Sequence, residues 1–535
     1  MKDRFMLAKI PAWGKLLLRF IILAAVGCNS PDPPPPGILR ISFSIQPVTI
    51  DPRKSGDVTS ATLICLVYEG LTRCSPDGFS ELAIAERVEI SEDRKTYLFH
   101  LRKSFWSDGH PVRASDFEKS WKKMLDPTFP TLCAYLFYPI LNAEAAFQGK
   151  KSIEDLGIKV IDDNTLEVTL ERPTPYFLSL TSFPSFLPVP QHRIKDIDKP
   201  FSKDLATNGP FYIDKIVPQS SIVLRKSPTF WNAGNVRLKG IDISIISNET
   251  TSLEMFQRGD LDWIGGIVAP ISPDALASLA TQKKLHYFPM AATTFCTFNT
   301  KSEIFKNENM RKAFSFAIDR EEIAREILPA DQIPATRCIP PALCGGKNRK
   351  IFPLFNLIKA RVHLEQGLAE LGKIIEEINP VTLHFRSGAV DRMIAQVIQR
   401  KWKDVLGVDI NLAQMDFKTH KDFLHRREYQ IALANWVAQY QDPINILERF
   451  KDPKNAKNYP GWNDSEFASL IDRIQSALDL DERNQRIEQA EDLIAERLPL
   501  LPIYHWYSPN LTHPRVHNLC TIPSGGVLFE RAWID

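Results

Sequence analysis

Between residues 38 and 45 apolar and polar positions alternate, with Leu39, Ile41, Phe43 and Ile45 set against Arg40, Ser42 and Ser44. A two-residue period sends successive side chains to opposite faces, so this stretch predicts a strand with one buried face. Leu166, Val168 and Leu170 repeat the pattern, as do Ile241, Ile243 and Ile245. Helical spacing interleaves with these strands. Ser115-Asp-Phe-Glu118 has the form of a capping box, and Phe117, Trp121, Met124 and Leu125 form the apolar stripe of the helix it opens. Asp126-Pro127 ends that helix, because a residue before proline is driven out of helical geometry. Residues 309–326 place Met310, Ala313, Phe314, Ala317 and Ile318 on one helical face. Residues 391–406 do the same with Met393, Ile394, Val397, Ile398, Trp402 and Val405, and Gly407 closes the helix. Val381-Leu383-Phe385 before it and Val408-Ile410-Leu412 after it predict a parallel strand–helix–strand unit. A last amphipathic helix covers about 480–498 and stops before Pro499.

The N-terminus follows neither period. Lys2, Arg4, Lys9, Lys15 and Arg19 precede the uncharged run Phe20–Gly27, and Cys28 follows. A basic region, a short apolar run and small residues before a cut site predict a secretory signal over residues 1–27. The run is too short to span a bilayer, which takes about 20 apolar residues. The cysteine after Gly27 resembles a bacterial lipoprotein cleavage box, although Ala25 stands where that pattern prefers leucine. The resemblance implies a lipid on Cys28. Residues 28–37 are rich in proline, which removes donors and fixes φ, so they read as a stiff tether.

A chain of 535 residues allows two to four domains, and 44% hydrophobic with 24% charged residues is the composition of a soluble globular protein. The formal charge is +2, and loss of residues 1–27, with five basic residues and one acidic, leaves −2. With no basic block either, nucleic acid is not an expected partner. Eight cysteines are present; with Cys28 lipidated, seven remain, and an odd number leaves at least one free thiol. Cys338 and Cys344 are close enough in sequence to close a short loop. No CxxC pair supports zinc or thioredoxin chemistry.

Nucleotide-binding glycine loops, a GxSxG elbow and an HExxH motif are all absent from the sequence. His513 and His517 have metal-like spacing, but Pro514 keeps them off one helix interior. His420 and His425 lie on a charged stretch and read as solvated, and Asp162-Asp163 reads as a turn. No enzyme activity, cofactor or metal site is expected.

Five ordered stretches resemble one family, the large oligopeptide/dipeptide-binding proteins of ABC importers. They are Leu101-Arg-Lys-Ser-Phe-Trp-Ser-Asp-Gly-His-Pro-Val-Arg-Ala-Ser-Asp-Phe117, Asp155–Leu170 with Pro175-Tyr-Phe177, and Thr207-Asn-Gly-Pro-Phe211 with Ser227–Asn232. Arg311-Lys-Ala-Phe-Ser-Phe-Ala-Ile-Asp-Arg320 and Trp402–Leu412 complete the set, so the likeness spans most of residues 38–510. It implies an α/β, two-lobed periplasmic-binding-protein fold with a hinge between the lobes. Lobe one would hold residues 38–68, 190–290 and 506–535, with an extra domain at 69–189, and lobe two residues 291–505. The implied function is an extracytoplasmic receptor that binds peptides in the interlobe cleft and delivers them to importer permeases with their ATPases. A monomer on a lipid anchor is implied, on the periplasmic side if the cell is Gram-negative. A receptor of the same fold for a cell-wall peptide, a nickel complex or another solute stays open, as does a peptide sensor or chaperone without transport.

The resemblance also implies which residues meet the ligand. Lys54-Ser-Gly-Asp-Val58 matches the family's N-terminal ligand-pairing segment, which places Asp57 and Val58 at the cleft. Trp436-Val-Ala-Gln-Tyr-Gln-Asp-Pro443 matches its Trp-x-x-Asp-x-x-(Asp/Glu)-Pro loop, with Trp436 as an apolar wall or a core tryptophan. The family's aspartate for the peptide α-amine falls on Gln439, which carries no charge. Asp57 or Asp442 could supply the carboxylate instead; Asp442 belongs to the family loop and reads as structural. If the 54–58 segment is a strand with Val58 facing the cleft, Asp57 faces away. Ala292 and Val437 stand where some relatives carry a cysteine pair.

Overall fold

The computed structural model describes residues 36–131, 133–197, 204–328, 332–344 and 349–535. The predicted signal segment, Cys28 and most of the tether lie outside the described residues. The spine is one mixed sheet. At one end lie the strands Ile410–Met415, Val381–Arg386 and Ile431–Val437; at the other, Trp263–Gly265, Ile38–Phe43, Gly240–Ile245, Ser221–Lys226 and Phe211–Val217. Between them run two antiparallel strands of 13 residues each, His286–Phe298 and Leu500–Thr512.

Those two long strands join two lobes; one buried core runs through lobe one and on into the Trp436–Phe450 side of lobe two, and a second fills the rest of lobe two. Their register slips between the pairs Pro289–Tyr507 and Thr293–His505. An irregularity of this kind interrupts the ladder and bends the pair, which is what a hinge between lobes needs. Ala292 lies opposite Val437 on neighbouring strands, the geometry in which a cross-strand pair would form if both were cysteines.

Lobe one carries a second, antiparallel sheet of four strands, in the order Ala85–Ile90, Thr96–Leu101, Thr165–Thr169, Ile158–Asp162. The helix Ala114–Met124 covers it. Its stripe Phe117, Trp121 and Met124 is fully buried, and the Trp121 indole donates to the Phe186 carbonyl at 2.8 Å. The C-terminal tail returns to lobe one. Buried Asp262 pairs with both Arg40 and Arg515, which ties the first strand to the tail.

Several sequence expectations are met, although the first strand ends at Phe43 and leaves Ile45 exposed. The strands at 38, 165 and 240 form, and Val381–Arg386 pairs with Ile410–Met415 in parallel across the helix Ala389–Leu406. The last helix spans Leu480–Arg497. Others need correction. The cap of the Ala114 helix falls on Arg113, whose N–H donates to Asp116 at 2.9 Å, because Ser115 is already inside the helix. The stretch 309–326 is two helices, Glu308–Phe316 and Arg320–Glu326: the first ends at its C-cap Ala317, and Asp319 caps the second. Cys338 and Cys344 form no bridge; the seven described cysteines are all free thiols. His420 is buried, not solvated, and packing with desolvation drops its pKa to about 4.

Candidate functional site

A cavity of about 600 Å³ lies between the lobes. On the lobe-one side it is walled by Ser55–Val58 and the inner face of the helix Val58–Val67. On the lobe-two side its wall is Asn435–Gln441, with Arg449, Lys457 and Tyr459 behind. The tail closes a third side through Pro523, Ser524, Gly526–Leu528 and Glu530. All four residues named from the sequence, Asp57, Val58, Trp436 and Gln439, therefore line one space.

Their local settings differ from the expectation. The 54–58 segment is not a strand. Pro52–Lys54 is a single tight turn, Ser55 and Asp57 are extended, and an α-helix begins at Val58. Asp57 caps that helix: its carboxylate accepts the Ser60 N–H at 2.8 Å and the Ser60 hydroxyl at 2.6 Å. Serine three residues on offers both donors, so the capping geometry outcompetes an extended course. Asp57 is thus committed locally and is not a spare partner for an ammonium. Asp442 is committed too, paired with Arg483 at 2.8 Å in a buried setting. Trp436 is 3% exposed and packs on Phe295, Phe450 and Tyr459, with ring centroids 4.0, 5.0 and 6.2 Å away. It is a core tryptophan that also reaches the cavity wall. Its indole Nε1–H has no acceptor among the described residues.

Charge along the cavity is uneven. At the tail end stand the carboxylates of Glu69 and Glu530, with Glu81 behind them. Arg73 reaches Glu81 at 2.5 Å and Glu69 at 3.9 Å, and Arg531 pairs with Glu81 and lies 3.9 Å from Glu530. Burial pushes Glu69 up to about 7 despite Arg73. Cys65 opens into the same space as an exposed free thiol.

The Gln439 end is different. The Gln439 side chain lies beside the Tyr135 hydroxyl, and the Lys457 ammonium sits 4.3 Å from the Tyr135 ring centroid. Burial brings Lys457 down to about 8. Arg449, 7% exposed, donates to the Asn445 carbonyl and side chain at 2.9 and 3.1 Å and lies 5.2 Å from the Trp436 ring. His425 and Lys421, one helical turn apart, complete that wall.

The lobes meet beside the cavity. Tyr176 of the extra domain stacks on Tyr440 of lobe two at 4.6 Å and 11°. Gly78 sits in a turn at φ +87°, which favours glycine, and it lies against the Gln441 side chain.

Residues 81–458 match the family model described as bacterial extracellular solute-binding proteins, family 5. The chain belongs to this family. It is 34% identical over 503 residues to the oligopeptide-binding protein OppA of Bacillus subtilis, covering 92% of each chain. It is 30% identical over 501 residues to the probable deoxycholate-binding periplasmic protein YgiS of Escherichia coli, again covering 92% of both. Among solved structures, Listeria monocytogenes OppA bound to peptide superposes with a TM-score of 0.72 at 26% identity, covering 93% of this chain and 99% of that one. These family 5 relatives are binding proteins, not enzymes, and the family is extracytoplasmic.

Sequence reasoning missed Glu69, Glu530, Arg449 and Lys457, and dismissed His425. Glu69 and Lys457 fall outside the quoted family stretches, and Glu530 lies in the tail beyond them. Their one shared property is that the fold brings them to one cavity, which no spacing reveals. The structure also gathers Asp108, His110 and His192 at the surface, where the carboxylate bonds His192 at 2.7 Å and His110 at 3.2 Å. These three do not line the cavity.

Proposed function

We propose that this chain is a peptide receptor, lipid-anchored at Cys28, that encloses its ligand between the lobes and delivers it to the permease and ATPase subunits of an ABC importer. The carrying observation is an open strand edge in the cavity wall. Ile431–Val437 pairs with Val381–Arg386 only at Ile431 and Ala432, and beyond that point no described strand occupies the edge. An extended peptide can add there as a further strand, its main chain giving affinity independent of side chains. The extended residues Ser55–Asp57 face it from the other lobe. The peptide-bound relative supports this reading.

In this reading lobe one comprises residues 38–68, 190–290 and 506–535 with the extra domain at 69–189, and lobe two residues 291–505. Both crossings, at 290 and 505, fall in the register slip of the long strands. The receptor acts as a monomer and carries no cofactor. The test is mass spectrometry of ligand released by denaturing freshly purified protein. Recovered peptides support the reading, and a non-peptide solute overturns it. A second reading, a receptor for an anionic non-peptide solute, has one observation in its favour: the unmatched cations at the Gln439 end. The 30% identical relative named for deoxycholate is in keeping with it.

A further inference from the structure

The two ends of the cavity differ in how their charges are matched. At the tail end Glu69, Glu81 and Glu530 face Arg73 and Arg531, and ion pairs link them. At the Gln439 end the charged groups on the facing elements are mostly positive: Arg449, Lys457 and Lys421, with His425. Neither Lys457 nor Arg449 has a carboxylate at ion-pair distance among the described residues; their partners are the Tyr135 ring, the Trp436 ring and amide oxygens. The carboxylates nearby are engaged elsewhere. Glu448 accepts from the Tyr440 hydroxyl at 2.8 Å, and Asp442 is held by Arg483. Asn445 joins the groups, its side-chain oxygen accepting both the Gln439 N–H at 3.2 Å and the Arg449 guanidinium. Spare donors converge here as well, including the orphaned Trp436 indole N–H.

We propose that the Gln439 end of the cavity is a carboxylate-binding site, so the ligand group seated there is anionic and not an ammonium. Lys457 supplies the direct charge, and the Gln439 amide and Tyr135 hydroxyl supply neutral donors that orient it. Arg449, fixed by Asn445 behind the Trp436 ring, adds a positive field that cannot move away. An ammonium in the same place would meet two cations and, among the described residues, no free carboxylate, and a buried unpaired charge is costly. The depressed pKa of Lys457 agrees: desolvation without a counter-ion lowers it, and a bound carboxylate would restore it. The inference rests on the peptide-receptor reading. The carboxylate can come from an acidic group at the peptide's amino end or from its carboxyl terminus in a reversed orientation.

The experiment is a competition. Wild type and Lys457→Met are each equilibrated with one mixed-sequence pentapeptide pool in four forms: free termini, N-acetyl, N-succinyl and C-amide. Retained peptides are counted by mass spectrometry. The expected result is a preference of about tenfold or more for a carboxylate at the seated end, falling to within about twofold in Lys457→Met. A gain on succinylation assigns the amino end, and a loss on amidation assigns the carboxyl end. Better retention of free-amine than acetylated peptides by wild type, with no loss on amidation, overturns the carboxylate site and leaves the peptide reading intact. So does a preference that Lys457→Met leaves unchanged. Retention of no peptide in any form overturns the peptide reading and the carboxylate site with it.

Discussion

Tyr176 and Tyr440 lie on opposite sides of the interlobe boundary and stack face to face, 4.6 Å between ring centroids and 11° between planes. Both are nearly buried, 7% and 8% exposed. Because one ring belongs to the extra domain and the other to lobe two, opening the cleft must separate them. The stack therefore biases the protein toward closure, and closure is what ligand binding stabilises.

Tyr176→Ala is expected to weaken ligand binding by about 0.5–1.5 kcal/mol, roughly two- to tenfold, while Tyr176→Phe, which keeps the ring, leaves affinity near wild type. Calorimetry gives the affinities, and small-angle scattering gives the radius of gyration without ligand, which should rise in the alanine variant alone. Unchanged affinity in Tyr176→Ala would mean that the stack survives opening.

Periodicity read the fold well wherever one face of an element meets a core. Leu39, Ile41 and Phe43 are all fully buried, and so are Phe117 and Trp121. It failed where a polar side chain competes with the backbone. Asp57 and Asp319 each start a helix by accepting backbone N–H groups, which turned an expected strand into a helix and one helix into two. The site was legible only as far as the family loop reached. Trp436 and Gln439 stand in it, whereas Lys457 and Glu530 become neighbours of the ligand space only through the tertiary fold. His425 looked solvated because its sequence neighbours are charged; the helix Phe417–Arg426 turns it and Lys421 toward the cavity.

Glu69 makes stability fall as pH rises. Its pKa moves from 4.5 to about 7 on folding, chiefly through burial, and buried Glu530 shifts the same way. Between those values the native state holds more protons than the unfolded chain, so unfolding free energy declines with pH across that window. The loss at Glu69 is on the order of 3 kcal/mol by pH 7. Denaturant titrations from pH 4.5 to 7.5 should show that slope in wild type and a flatter one in Glu69→Gln. Equal slopes in both would remove Glu69 as its source.

The anchor is tested at Cys28. Without its thiol the cysteine cannot take a lipid, so Cys28→Ser should be unprocessed or released from membranes in a lipid-labelling assay. A chain starting at residue 37 should stay soluble and folded, because the first strand begins at Ile38. Lipid labelling of Cys28→Ser at the wild-type level would locate the anchor elsewhere or remove it.

Gln439→Asp puts a carboxylate into the cavity wall, and Lys457 decides what that carboxylate does. The Gln439 side chain lies beside the hydroxyl of Tyr135 and Lys457 lies against the ring of the same tyrosine, so a new aspartate finds a cation close by. In the single variant the charge is expected to be spent on Lys457, and free-amine peptides gain less than about threefold. In Gln439→Asp combined with Lys457→Met, the aspartate has no internal partner close by. A free ammonium then gains about 1–3 kcal/mol, roughly five- to a hundredfold, while an N-acetylated peptide gains nothing. The two substitutions are thus expected to be strongly non-additive for free-amine peptides and additive for acetylated ones. Calorimetry on the four proteins with one matched peptide pair reads the coupling directly. If Gln439→Asp alone gave the full gain, Lys457 would have to lie out of reach of the seated group. If neither variant distinguished the two peptides, the ligand's amino end would sit elsewhere in the cavity, and the acid-rich end at Glu69 and Glu530 would be the next place to substitute.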